Sequence, residues 1–256
     1  MRLPTLEVGH HSETSRVPGD PSHAEEARIR AAYARRGEGW RYDWGTPAYV
    51  FTMHDLERRL LAALRRSKLW PLGSMRILDV GCGNGHWLRR LVDWGAQPPH
   101  STGIDLILDR LHSGAQLSPR QVGLSCASAL ALPFGDASFD LVLQFMAFTS
   151  ILDSDFRHRV ADEMVRVLTP EGAILWYDFC VPNPRNPDLR PVTAAEVKAL
   201  FPDCVVELHR VTLATPVTRL VAPFSWALCG LLNRFPLLRT HYLGVIRRRP
   251  SRRDIE

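Results

Sequence analysis

A chain of 256 residues that is 45% apolar and only 23% charged can bury a sizeable core, which excludes a disordered polypeptide and predicts one large domain with additions. The net charge of +5, from 32 Lys+Arg against 27 Asp+Glu, is mild, and no interleaving of basic and aromatic residues marks a stacking surface for single strands, so no nucleic-acid partner is expected. Five scattered cysteines (Cys82, Cys126, Cys180, Cys204, Cys229), without a CxxC pair or Cys/His ligand spacing, read as reduced and mostly buried.

Residues 1–22 mix Pro, Gly, Ser, His and charge without periodicity and are expected to form a flexible arm. They contain no continuous apolar core of a signal peptide, so the expected location is the cytoplasm. Residues 23–70 read as a helical cap. One helical pattern starts at Glu25 and runs to Arg36, and a second, His54 to Lys68, lines up Leu56, Leu60, Leu61 and Leu64 on one face. Residues 71–248 then alternate short apolar strands with helices: "RILDVG", a helix from His86, "STGIDL", a helix near Leu108, "QVGLSCA" and "FDLVLQF". They continue with a helix over Arg157 to Leu168, "AILWYDF", a helix over Ala194 to Phe201, "VVELHRVTL" and "HYLGVIR". Such alternation predicts a doubly wound α/β sheet with helices on both faces. Residues 216–238 interrupt it as an apolar helical insertion, and residues 249–256 form a basic tail.

The stretch "RILDVGCGNGHWLRRL" carries an apolar strand into a glycine turn and out along a helix. In open α/β sheets ligands sit at the carboxyl ends of the strands, and the first strand-to-helix turn must let the ligand approach backbone. A dinucleotide fingerprint reads GxGxxG, whereas Gly81, Gly83 and Gly85 give GxGxG preceded by Asp79, a tighter form that suits a ligand without a pyrophosphate. Asp105 follows 20 positions after Gly85, at the expected end of the next strand, where a carboxylate can accept both hydroxyls of a ribose. Nicotinamide enzymes place an acid similarly, so Asp105 alone does not discriminate.

Taken together, "LDVGCGNG", "GIDL", "ALALPFGDASFDLV" and "RVLTPEGAILWYDF" resemble, in order and spacing, the landmark motifs of class I S-adenosylmethionine-dependent methyltransferases, nearest to the methyltransferase type 11 group of ubiquinone and menaquinone methyltransferases. The resemblance covers about residues 76–179. It implies a Rossmann-like, doubly wound sheet of seven strands, mostly parallel with an antiparallel last strand, and S-adenosylmethionine as cofactor. It further implies that Gly81, Cys82 and Gly83 line the methionine and ribose portion, that Asp79 orients the turn and the ligand's amine, and that Asp105 binds the ribose with Leu106 packing on the adenine. Ala127-Ser128-Ala129 stands where the family usually has Gly-Asp-Ala, so Ser128 replaces the acid that commonly meets the adenine, with Ala129 beside it. Gln144 and Phe145 end the fourth strand, where the family makes backbone contacts to the sulfonium region.

A sulfonium methyl is already activated, so the protein has mainly to align an acceptor and remove its proton where needed. Candidate bases are Asp178 with Tyr177 at the end of the fifth strand, His86 just past the glycine turn, and His241. Arg185 and Arg190, in the proline-rich loop that follows Asp178, are candidates to hold an acidic acceptor. No metal is expected, because "LQFMAFTS" offers no clustered acids. The insertion's uncharged core, "LVAPFSWALCGLL", is 13 residues long, too short to span a bilayer, which takes about 20. It is expected to cover a hydrophobic, lipid-like or small-molecule acceptor, and with its flanking arginines it also suits a peripheral contact with the inner membrane face. The alternatives are a protein of this fold that binds the cofactor without transferring methyl, such as a regulator or cyclase, and an NAD-dependent oxidoreductase.

Overall fold

The computed structural model describes residues 21–35, 44–183 and 186–249; all but the first residue of the expected basic tail and most of the expected N-terminal arm lie outside them, as does Arg185. Seven strands form one sheet in the order β3-β2-β1-β4-β5-β7-β6. They are β1 (Ile77–Val80), β2 (Ser101–Asp105), β3 (Gly123–Cys126), β4 (Phe139–Phe145), β5 (Leu168–Phe179), β6 (Cys204–Leu213) and β7 (Arg239–Arg248). Strands β1 to β5 pair in parallel, and β7 enters antiparallel between β5 and β6. The chain thus has the Rossmann-like, mostly parallel architecture that the alternation of its segments leads one to expect. All four residues of β1 are buried, as befits a central strand covered on both faces.

Helices α1 (Pro21–Arg35), α5 (Ser154–Val167) and α6 (Ala194–Leu200) lie on one face, where Ile29, Phe156, Met164 and Val197 pack with Leu78, Val142 and Trp176 of the strands. Helices α2 (Pro47–Arg66), α3 (His86–Asp93) and α4 (Leu108–Leu117) cover the other, with Leu60, Leu88 and Leu111 against Ile77, Leu141 and Leu175. The two N-terminal helices therefore take opposite faces. Helix α2 begins at Pro47, seven residues before the periodicity of its leucines suggests, because Pro47 occupies the first turn, where its missing N–H costs nothing.

The insertion between β6 and β7 is not one helix. It forms α7 (Thr215–Val221), α8 (Trp226–Leu232) and a single 3₁₀ turn at Pro236–Leu238. Ser225, extended at the break, caps α8 by accepting from Leu228 N at 3.1 Å. Ala222 and Cys229 pack down on Phe51 and Leu213, while Phe224 (86% exposed) and Leu237 (91%) stand out into solvent. All five cysteines are free, four of them buried and Cys126 half-buried. Among the described residues no helix is long and apolar enough to cross a membrane.

Candidate active site

Strand β1 delivers the chain into the turn at Gly81, Gly83 and Gly85, with φ of +78°, +57° and +70°. These are left-handed conformations that a side chain resists. The amides of Gly81 and Cys82 both donate to Ile104 O at 2.9 Å, which ties the turn to β2. A Cβ on Gly81 would lie 2.8 Å from Ala147 Cβ, and one on Gly83 would meet the Arg110 guanidinium.

Asp105 staples two turns together. Its Oδ2 accepts from Gly83 N at 2.7 Å and its Oδ1 from Ile107 N at 2.9 Å, and Arg110 Nη1 approaches Oδ2 at 3.4 Å. The carboxylate expected to bind ribose is thus already the strut that holds the glycine turn against the start of α4. Arg110 did not stand out in the sequence, yet it lies over the turn and its guanidinium sits 5.0 Å from the Tyr33 ring centroid. The available signal was its place in the first turn of the helix after Asp105.

Asp79 is 1% exposed, and neither of its carboxylate oxygens has a hydrogen-bond partner among the described residues. Burial, reinforced by the charge of Asp105 and opposed by Arg110, pushes its pKa up to about 7. A desolvated acceptor pair without a donor, two residues before the glycine turn, is what a ligand ammonium group requires. Together with left-handed glycines that leave backbone accessible, it fits the amino-acid end of S-adenosylmethionine. Burial also raises the neighbouring Cys82 thiol, which stays protonated.

Helix α1 spans the carboxyl ends of three strands. Arg30 donates to Leu106 O, Ser128 donates to the Glu26 carboxylate, and Glu25 accepts from Leu152 N at 2.6 Å. Arg28 reaches Ser150 O at 2.5 Å. The serine that replaces the customary acid therefore has its hydroxyl on an acid from α1. Leu106 and Ala129 are half-buried and pack against the core cluster that includes Ile29 of that helix.

Gln144 and Asp178 come together below the strand ends rather than in an open crevice. Gln144 Nε2 donates to Asp178 Oδ2 at 2.8 Å, and Thr149 N and Phe179 N also donate to this carboxylate. Asp178 is 1% exposed, and its pKa is pushed up to about 7 by burial, against the backbone hydrogen bonds and Arg157. Its contacts anchor the loop after β4. Tyr177, on the opposite face, shares a hydrogen bond with Thr212 Oγ1 at 2.9 Å, and burial raises its phenol. Its ring stacks on His241 at 4.8 Å with a 4° interplanar angle. Burial lowers His241 to about 3, so that imidazole is neutral. His86 falls to about 4, through burial and then the charges of Arg89 and Arg90, and its Nε2 is buried without a hydrogen-bond partner among the described residues. Arg190 is engaged by Glu196 at 2.7 Å rather than left for an acceptor.

Aromatic rings connect these groups to the insertion. Trp226 meets His54 at 5.9 Å, His54 meets Trp44 at 6.3 Å, and Trp44 meets His86 at 6.3 Å. From there Trp87, Phe145 and Tyr177 follow at 5.1, 5.0 and 5.9 Å. Where the row begins, Trp44, Pro47, Val50, Phe224 and Trp226 line a cleft of about 470 Å³.

A family profile described as a methyltransferase domain matches residues 77–172. The chain is 30% identical over 151 residues to the O-methyltransferase resE of Aspergillus sclerotiorum, covering 55% of this chain and 54% of that one. It is 30% identical over 134 residues to a demethylmenaquinone methyltransferase of Bacillus cereus, covering 47% and 55%. The chain thus spans about half the length of these curated relatives. Its fold is shared with the 1,6-didemethyltoxoflavin-N1-methyltransferase of Burkholderia thailandensis, solved with 1,6-didemethyltoxoflavin and S-adenosylhomocysteine (TM-score 0.56, 17% identity, 92% of this chain and 94% of that one). It is also shared with the [4+2]-cyclase SpnF (TM-score 0.53, 18% identity, 80% and 98%). Residues 77–172 thus carry a methyltransferase domain, with S-adenosylmethionine as its cofactor.

Proposed function

We propose that the protein transfers a methyl group from S-adenosylmethionine to a small apolar, aromatic or lipid-like acceptor, in secondary-metabolite, quinone or glycolipid biosynthesis. When bound, the cofactor supplies a methyl group already activated on sulfur. Asp79 holds its amine, the backbone of Gly81, Cys82 and Gly83 lines its methionine and ribose portion, and Asp105 supports the ribose. Leu106, Ser128 and Ala129 face the adenine, and backbone at Gln144 lies toward the sulfonium. The observation that carries the acceptor class is the aromatic row from Trp226 to Tyr177, which opens on an apolar cleft and ends at the strand termini. Rings in that arrangement exclude water and take a flat or greasy molecule. The name of the Bacillus relative, a demethylmenaquinone methyltransferase, supports a quinone-like acceptor.

Among the four base candidates we assign contact with the acceptor to His86. Its Nε2 is buried and has no hydrogen-bond partner among the described residues, whereas Asp178 already receives three hydrogen bonds and Tyr177 keeps its proton. The exposed apolar rim at Phe224, Leu231 and Leu237 would rest on the inner membrane face when the acceptor is a lipid. The test is label transfer from S-adenosylmethionine to a panel of quinols, phenols and hydrophilic acids. Label in the hydrophobic compounds, lowered by Trp44→Ala and by His86→Ala, is expected. Label confined to the hydrophilic acids would overturn the acceptor class. The second reading, cofactor binding without transfer, is favoured by the fold shared with a cyclase. It predicts tight cofactor binding and no label in any acceptor.

A further inference from the structure

A second concavity lies far from the glycine turn, between α2 and the antiparallel β6–β7 pair at the end of the sheet. It encloses about 630 Å³, within the size range of small-molecule sites. Its floor is apolar, made by the buried side chains of Ala63, Val211, Leu243 and Val245. Its walls carry five arginines, Arg58, Arg59 and Arg66 from α2 and Arg239 and Arg247 from β7, against one carboxylate, Glu207, while Arg210 turns its guanidinium to the opposite face over the Tyr242 ring and offers the groove its backbone.

The partners of these arginines fix their positions while leaving most of their charge uncompensated. Arg239 donates from Nε to Asn233 O at 2.7 Å and from Nη1 to Arg210 O at 3.0 Å, and Arg247 donates to Ser67 O. Carbonyl oxygens orient a guanidinium without neutralising it. Asp55, at one end, pairs with both Arg58 and Arg59, at 2.6 and 2.7 Å. Arg66 has neither an ion pair nor a hydrogen bond among the described residues. Cations gathered around a concave, low-dielectric floor reinforce one another's field, and guanidinium forks match the oxygens of phosphate bidentately.

We propose that this groove binds a phosphate-bearing anion, with the arginines on the phosphate and the apolar floor under the body of the ligand. The role is separate from methyl transfer, because β4 and β5 stand between the groove and the glycine turn. Ligands of this chemistry come free in solution or as lipid headgroups.

The test uses the full chain, with inorganic pyrophosphate as probe in calorimetry. Vesicles of phosphatidylcholine, with and without phosphatidic acid, serve in cosedimentation. Wild-type protein is expected to bind pyrophosphate saturably. Replacing Arg58 and Arg66 together by alanine should weaken binding by about tenfold or more, since charge-assisted bonds are lost. Circular dichroism and S-adenosylhomocysteine affinity should stay unchanged. Glu207→Gln, which removes the groove's one carboxylate, should tighten pyrophosphate binding. Pyrophosphate binding alone identifies a free phosphate ligand. Binding to phosphatidic acid vesicles that pyrophosphate competes away identifies a headgroup. Absence of both activities overturns the proposal, as does unchanged binding in the folded Arg58/Arg66 variant or in Glu207→Gln.

Discussion

Among the described residues neither carboxylate oxygen of Asp79 has a hydrogen-bond partner, so the residue reports on pH in two ways. In the folded chain it holds its proton up to about 7, whereas an unfolded aspartate loses it near pH 3.9. Between those values the folded state binds more protons, and the stability contributed falls as pH rises through the window. Asp178 contributes with the same sign. His86 and His241, lowered to about 4 and about 3, contribute with the opposite sign, because unfolded imidazoles bind protons up to about pH 6.5. Asp79→Asn should therefore stabilise the ligand-free protein by about 1 to 3 kcal/mol at pH 8 and leave it near wild type at pH 4, as urea denaturation would show. The same substitution should weaken cofactor binding and abolish its rise with pH between 6 and 8, because an ammonium group needs the ionised carboxylate. Gly83→Val should cost about 1 to 3 kcal/mol for a branched side chain at φ +57° and remove cofactor binding, both measurable on the folded fraction.

Between elements, Arg157 of α5 is the buried cation that joins α6 to the loops after β4 and β5. Fully buried, it pairs with Glu196 at 2.6 Å and donates to Ile151 O at 2.8 Å and Arg190 O at 2.9 Å. Arg157→Ala leaves Ile151 O without this donor and Glu196 paired with Arg190 alone, and should cost about 1 to 3 kcal/mol in chemical denaturation. Phe224 and Trp226 behave oppositely. Their exposed rings contribute little to folding, so serine at both positions should leave the unfolding free energy within about 1 kcal/mol. Cofactor affinity should hold while turnover of a hydrophobic acceptor falls. Unchanged turnover on a folded double variant would reduce this surface to packing. The break between α7 and α8 was legible in "APFS", a proline followed by a helix-capping serine, but the apolar run around it hid the signal.

Across the whole molecule, what the sequence revealed was local and what it concealed was distant. The glycine turn and the succession of strands and helices could be read because each motif sets its own backbone within a few residues. The contact of Glu26 with Ser128 joins residues 102 positions apart, and that of Tyr33 with Arg110 depends on where α1 crosses the sheet; neither spacing nor periodicity encodes such a crossing. The burial of Asp178 escaped for the same reason, since the donors that enclose it come from β4 and the loop after it. Because α1 touches the ends of β2, β3 and β4, ligand binding beneath it should slow amide exchange along residues 21–35, measured by mass spectrometry. The central claim, that this glycine turn is an S-adenosylmethionine site, is met most directly by calorimetric titration of S-adenosylhomocysteine into the wild-type chain and Gly83→Val, with NAD as control. The account predicts saturable binding to the wild type, none to the folded variant and none of NAD by either. Binding of NAD in place of S-adenosylhomocysteine, or equal S-adenosylhomocysteine affinity in both proteins, would contradict it.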